Sequence, residues 1–170
     1  GVQTSFFERE EQLGGVPRYV IPAFRISDEA LDKDVALMER LGVEVKCGAP
    51  APSVAELKKM GYTHILLATG AWQAGELGIP GNVRGVIAWM KEMKQQVKPC
   101  LEGHVVIVGA GNTAMDAARV AKRMGAASST IVYRRTKKEM PADEHELKLA
   151  IDEGVAMVEL AAPVAQENGK

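Results

Sequence analysis

The stretch VVIVGAGNTA, residues 105–114, runs an apolar strand into Gly109, Ala110 and Gly111 and ends on the small Ala114. Its G-x-G-x-x-A spacing can hold a diphosphate. Gly109 permits a tight turn, Gly111 lets the backbone approach a pyrophosphate with no side chain between, and Ala114 replaces a third glycine to let helix and strand pack closely. The helix that follows offers unpaired N–H groups and a partial positive charge to anions, and Asn112 and Thr113 can add donors in its first turn. A tight turn without a ligand is the plain alternative. The succession of strand, turn, helix and return strand favours a nucleotide.

Which nucleotide is decided where the second strand ends. An acid about 20 residues past the last small residue would grip ribose hydroxyls. Arg134 stands there instead, followed by Arg135, with Lys137 and Lys138 beyond, and no carboxylate occurs from Ser128 through Lys138. Guanidinium forks match a phosphate dianion, so the expected ligand is NADPH with its 2′-phosphate at Arg134 and Arg135. A solvated basic loop is the alternative. An acid of the absent kind, Glu8, closes the strand-like TSFFE (4–8) near the N-terminus. The residues before it are too few for a strand, glycine turn and helix. Either Glu8 is a surface carboxylate, or the chain is a piece cut from a larger protein.

The elements that must position these groups alternate strand and helix. An irregular stretch is expected from Gly14 and Gly15 to Ser27, an N-cap for a helix whose apolar face is Leu31, Val35, Met38 and Leu41. VEVKC reads as a half-buried strand, Ser53 and Glu56 as a capping box, and THILLATGA (63–71) as a buried strand. Val86, Met90, Met93 and Val97 mark a helix ended by Pro99. A strand at about 104–108, a helix at about 112–124 and the strand STIVYRR follow. Pro141 opens a helix with Leu147, Ala150 and Ile151 buried, before a last strand, VAMVEL, and a polar tail. Strands separated by helix-length segments give an α/β fold of parallel, Rossmann-like three-layer units.

Composition narrows the class. The chain has 170 residues, 46% hydrophobic and 25% charged, enough for a core, and a net charge of −1 gives no reason to expect nucleic acid or an anionic membrane as partner. No long apolar run or leader is present, so a cytoplasmic protein without a membrane span is expected. Cys47 and Cys100 are too few and too far apart for a disulfide framework, a zinc site or a four-thiolate cluster. DEHEL (143–147) lacks a second histidine at metal spacing, and no metal site is expected.

Four segments in order, FEREEQLGGVPRYVIPAFRI, ILLATGAWQAGELGIPG, VVIVGAGNTAMDAAR and VYRRTKKEMPA, resemble the flavoprotein family of the glutamate synthase small subunit. That family includes the N-terminal half of dihydropyrimidine dehydrogenase, and the wording is most similar to FAD-dependent subunits of the selenate-reductase type. The resemblance covers the chain to about residue 160.

It implies an enzyme in which NADPH passes hydride to FAD and electrons leave through iron–sulfur clusters. The implied division is 1–75, a partial FAD-binding domain without its glycine turn; 76–102, a connecting loop and helix; and 103–170, a C-terminally truncated NADPH-binding domain. Glu8, Gly14, Gly15, Thr69 and Gly70 would then serve FAD in the parent, and Gly109, Ala110, Gly111, Asn112, Thr113, Arg134 and Arg135 would serve NADPH. The clusters and any catalytic subunit would lie in parts absent from this chain, which alone would bind nucleotide without turnover. The resemblance gives EMPA (139–142) no chemical role. The lack of a paired CxxC or CxxxxC separates the chain from disulfide reductases sharing the double-nucleotide plan. A non-catalytic nucleotide-binding or regulatory module is the competing reading.

Overall fold

A computed structural model describes residues 2–73 and 75–167, so the far end of the expected polar tail, 168–170, lies outside the described residues. The chain divides into two compact units, Gly1–Ala71 and Trp72–Lys170.

In the first unit, β1 (Ser5–Phe7) and β2 (Glu44–Lys46) pair in parallel with Ser5 opposite Glu44 and Phe7 opposite Lys46. Between them lie α1 (Gly15–Tyr19) and α2 (Asp28–Arg40). The Ser27 hydroxyl caps α2 by accepting the Ala30 N–H, and Asp28 and Glu29 complement the dipole of its first turn. Only Leu31 of the expected apolar face is fully buried. α1 replaces part of the expected irregular stretch. Gly14 starts it at φ 129, and Pro17 falls in the first turn, where a missing N–H costs nothing. Arg18 explains why residue 14 is glycine: a Cβ there would lie 2.8 Å from Arg18 Cβ. The buried guanidinium donates to Leu13 O at 2.5 Å and to Asp32 Oδ1 at 2.7 Å, tying the turn to α2. Ser53 and Glu56 form their reciprocal capping box on α3 (Val54–Lys59).

The buried strand expected over 63–71 does not form. The segment has no regular structure, and Leu66 and Leu67 are 89% and 76% exposed. A strand satisfies its amides only against neighbours, and neither β1 nor β2 pairs with this segment.

The second unit is built on a parallel sheet in the order β3-β4-β5: His104–Val108, Ser128–Val132 and Ala156–Val158. α5 (Asn112–Arg123) and α6 (Glu144–Asp152) are its crossovers. α5 packs against β3 and β4, α6 and α4 (Val86–Lys94). Its Ala114, Ala117, Ala118 and Ala121 let it approach the sheet closely, around Met115 and Ile131, both fully buried. α4 buries Met90 and Met93 but ends at Lys94, leaving Val97 96% exposed rather than on the buried face. α6 starts after Pro141, not on it: Asp143 is the cap, accepting the His145 N–H. Ala150 is buried, whereas Ile151 is exposed.

Four charges clamp α5 to α6 and the residue that follows it. Glu153 accepts from Arg119 Nη2 and Arg123 Nη2, both at 2.7 Å, and Glu146 lies 3.7 Å from Arg119. These bonds hold the Glu153 carboxyl down at about 2, the Arg123 hydrogen bond being the largest cause. They also raise Arg123 above its ordinary value.

Candidate nucleotide-binding site

The glycine turn and the basic loop meet because their strands are neighbours. Val108 stands opposite Val132 in the parallel register, and one residue on, the Gly109 N–H donates to Val132 O at 3.0 Å. The turn after β3 and the loop after β4 therefore leave the same edge of the sheet side by side, at the carboxyl ends of parallel strands where α/β folds bind ligands.

The two glycines of the turn differ physically. Gly109 has φ 122, a conformation that side-chain-bearing residues rarely adopt. Gly111, the N-cap of α5, has φ −88 and ψ 172, open to any residue. A Cβ at Gly111 would meet nothing within 4 Å. Neither backbone nor packing requires glycine there, which leaves the space in front of the residue as the reason for it. No side chain caps α5, and among the described residues the N–H groups of Gly111, Asn112 and Thr113 have no partner. Asn112 and Thr113 are exposed, and Ala110 is buried beneath the turn. A bare, donor-rich turn of this kind suits a diphosphate.

In the basic loop, Arg134 and Arg135 are exposed, and among the described residues neither side chain has a hydrogen-bonding or ionic partner. Lys137 does: its ammonium lies 3.4 Å from Glu159. The loop thus presents two uncommitted guanidinium groups beside the turn.

Sequence reasoning missed what braces the turn. The Ala142 N–H donates to Ala110 O at 3.1 Å, and the Asp143 N–H to Asn112 Oδ1 at 3.2 Å. EMPA is therefore a structural loop: Ala142 is buried, and Met140 packs on the core around Met115 and Ile131. No local pattern announces these bonds, because each joins residues some thirty positions apart. The Asn112 carbonyl is spent on Asp143, so its amide NH2 is what remains for a ligand.

In the first unit, Glu8 stands at the end of β1, where its N–H donates to Lys46 O and its Oε1 accepts the Glu10 N–H at 3.0 Å. Its second oxygen has no partner among the described residues and could accept a ribose hydroxyl. Gly14 and Gly15 open α1 at φ 129 and φ 50. Thr69 and Gly70 are exposed in the segment without regular structure. At the end of β2, burial and then the nearby Glu8, Glu11 and Glu39 push the Cys47 thiol up. Among the described residues no group of three His, Cys, Asp or Glu could hold a metal ion, and no helix is long and apolar enough to cross a membrane.

The family model described as pyridine nucleotide-disulphide oxidoreductase matches residues 23–168. The YgfK protein of Escherichia coli (strain K12) is 38% identical over 160 residues, covering 91% of this chain and 16% of that protein. The NADPH glutamate synthase small chain of Azospirillum brasilense is 31% identical over 183 residues, covering 96% and 38%. Subunit beta of the NADPH-Fe(3+) oxidoreductase of Geobacter sulfurreducens is 35% identical over 153 residues, covering 84% and 22%. The chain thus spans well under half the length of these relatives. Among solved structures, Mycobacterium tuberculosis FprA in complex with NADPH superimposes with a TM-score of 0.73 at 19% identity, covering 89% of this chain and 41% of FprA, a likeness of fold.

Proposed function

Because the chain belongs to the pyridine nucleotide-disulphide oxidoreductase family, we propose that it is the NADPH-binding part, with an adjoining flavin-side part, of a flavoprotein oxidoreductase. Residues 103–170 hold the NADPH, residues 1–75 belong to the FAD side, and 76–102 connect them. The Gly109 N–H to Val132 O bond carries the reading, since it sets a bare, donor-rich turn next to two unpaired arginines.

Gly109, Ala110, Gly111, Asn112 and Thr113 receive the diphosphate through backbone N–H groups and the Asn112 amide. Arg134 and Arg135 take the 2′-phosphate in bidentate fashion, which distinguishes NADPH from NADH. Glu8 orients the FAD ribose through its uncommitted oxygen, and Gly14, Gly15, Thr69 and Gly70 line that side. NADPH supplies a hydride and FAD the capacity to accept it; the chain's own residues contribute position and charge. Iron–sulfur centres in the remainder of the protein or in a catalytic subunit would accept the electrons; the relatives' names, a small chain and a subunit beta, speak for a further subunit.

Titration of the wild-type chain and of Arg134→Ala and Arg135→Ala with NADPH and NADH tests this. Each substitution should weaken NADPH by about 1.5–3 kcal/mol, the worth of a charge-assisted bond, and leave NADH unchanged. Equal affinity of the wild type for the two nucleotides contradicts the proposal.

A further inference from the structure

The loop read here as the phosphate grip has two carboxylates bonded to it. Glu159, just past β5, accepts the Lys137 N–H at 2.6 Å through Oε2, while its Oε1 lies 3.4 Å from Lys137 Nζ. Glu139 accepts the Thr136 N–H at 3.2 Å and the Thr136 hydroxyl at 3.5 Å. Beside a site for a dianion, negative charge lowers affinity, and Glu159 also neutralises one of the loop's own cations.

The hydrogen bonds explain the presence of both. Leu160 N–H donates to Arg135 O at 3.3 Å, and Ala161 N–H to Tyr133 O at 3.1 Å, so the carbonyls on either side of Arg134 are held by the chain after β5. The Tyr133 hydroxyl donates to Glu139 O at 2.9 Å. The amides of Thr136 and Lys137 have no such strand to pair with, and the two carboxylates take them. Arg134 and Arg135 thus sit in a segment stitched through its carbonyls by 160–161 and through its following amides by Glu139 and Glu159. A guanidinium pair grips a phosphate only when its backbone is held, because each long side chain loses rotamer freedom on binding.

We propose that Glu159 and Glu139 are positioning residues that fix the shape of the 134–137 loop, and so its preference for a ribose 2′-phosphate, at the expense of their own charge. The inference rests on the reading of Arg134 and Arg135 as phosphate ligands. It assigns the selectivity of the site partly to two acids that touch no ligand.

Charge and hold predict opposite signs, which makes the inference testable on the 170-residue chain by fluorescence titration with NADPH and NADH. Glu159→Gln keeps a carbonyl acceptor for the Lys137 N–H and removes the charge, so NADPH should bind as tightly as to wild type or more tightly. Glu159→Ala removes both. Its NADPH dissociation constant should rise about five- to tenfold, while that for NADH changes less than about twofold, the size expected for one lost hydrogen bond. Glu139→Gln and Glu139→Ala should repeat the pattern. They provide the answer should Glu159→Ala fail to fold, since Glu139 is exposed in a single 3-10 turn, Lys137–Glu139. Alanine variants that bind NADPH as tightly as wild type, that lose NADH equally, or whose glutamine counterparts fall as far, overturn the inference. A wild type without preference for NADPH shows, before any variant is made, that the underlying reading has failed.

Discussion

Gly111→Ala should leave the stability of this protein little changed and weaken its binding of nucleotide. At φ −88 and ψ 172, with nothing within 4 Å of a new Cβ, alanine fits without strain. It restricts the unfolded chain, a gain of about 0.4–1 kcal/mol, but glycine is preferred to alanine at a helix N-cap by a similar amount. For a unit the size of Trp72–Lys170, Tm should therefore move by no more than about 4 °C. The same methyl stands where a diphosphate would approach the turn. Loss of two charge-assisted bonds from the α5 N-terminus, each worth about 1.5 kcal/mol or more, weakens NADPH by about a hundredfold. Gly109→Ala is the control that strains the backbone. Its φ of 122 imposes strain of about 1–3 kcal/mol, so its Tm falls. Circular-dichroism melts and fluorescence titration with NADPH read both quantities on one sample. A Gly111→Ala protein that melts close to wild type and binds NADPH undiminished refutes the reasoning, because the empty space at Gly111 would then serve no ligand.

Two further outcomes follow from packing and charge in the second unit. Glu153, lowered from its ordinary 4.5 to about 2 by Arg123 and Arg119 and only partly shielded from solvent, contributes roughly 1–2 kcal/mol above pH 4.5 once solvent screening is allowed for. Because its folded pKa is depressed, that stability is lost as pH falls from about 4.5 toward 2. Thermal melts of Glu153→Gln should therefore be lower than wild type at pH 7 and lack its steep decline over that acidic window. Ser129 is almost fully buried in β4, and among the described residues its hydroxyl has no partner. Ser129→Ala should stabilise by about 1 kcal/mol in urea denaturation, the cost of burying an unpaired hydroxyl being removed.

The parts of this molecule that are legible in its sequence are those whose signals are local. The strand expected at about 104–108 and the helix at about 112–124 correspond to His104–Val108 and Asn112–Arg123, because an apolar run, a glycine turn and a helical stripe occur within twenty-odd residues. Ser27 and the Ser53–Glu56 box mark their helices for the same reason. Segments whose structure depends on distant partners are not legible. THILLATGA has the composition of a buried strand, but strand formation belongs to the sheet, and among the described residues no strand pairs with it. GGVPRY looks like a loop until Arg18 is seen to fold back on Leu13 O and Asp32. At the candidate site, the glycines and arginines are visible as patterns. Their adjacency through Val132, the brace from Ala142 and Asp143, and the carboxylates behind the basic loop come from register and long-range hydrogen bonds, which no single window contains.

The most direct test of the account is an amide- and guanidinium-resolved NMR titration of the isotope-labelled chain with NADP+ and NAD+ in parallel. Backbone signals of Gly111, Asn112 and Thr113 should shift with both nucleotides, and the side-chain Nε signals of Arg134 and Arg135 with NADP+ alone. Arginine signals that move equally with both, or turn amides that respond to neither, would contradict it.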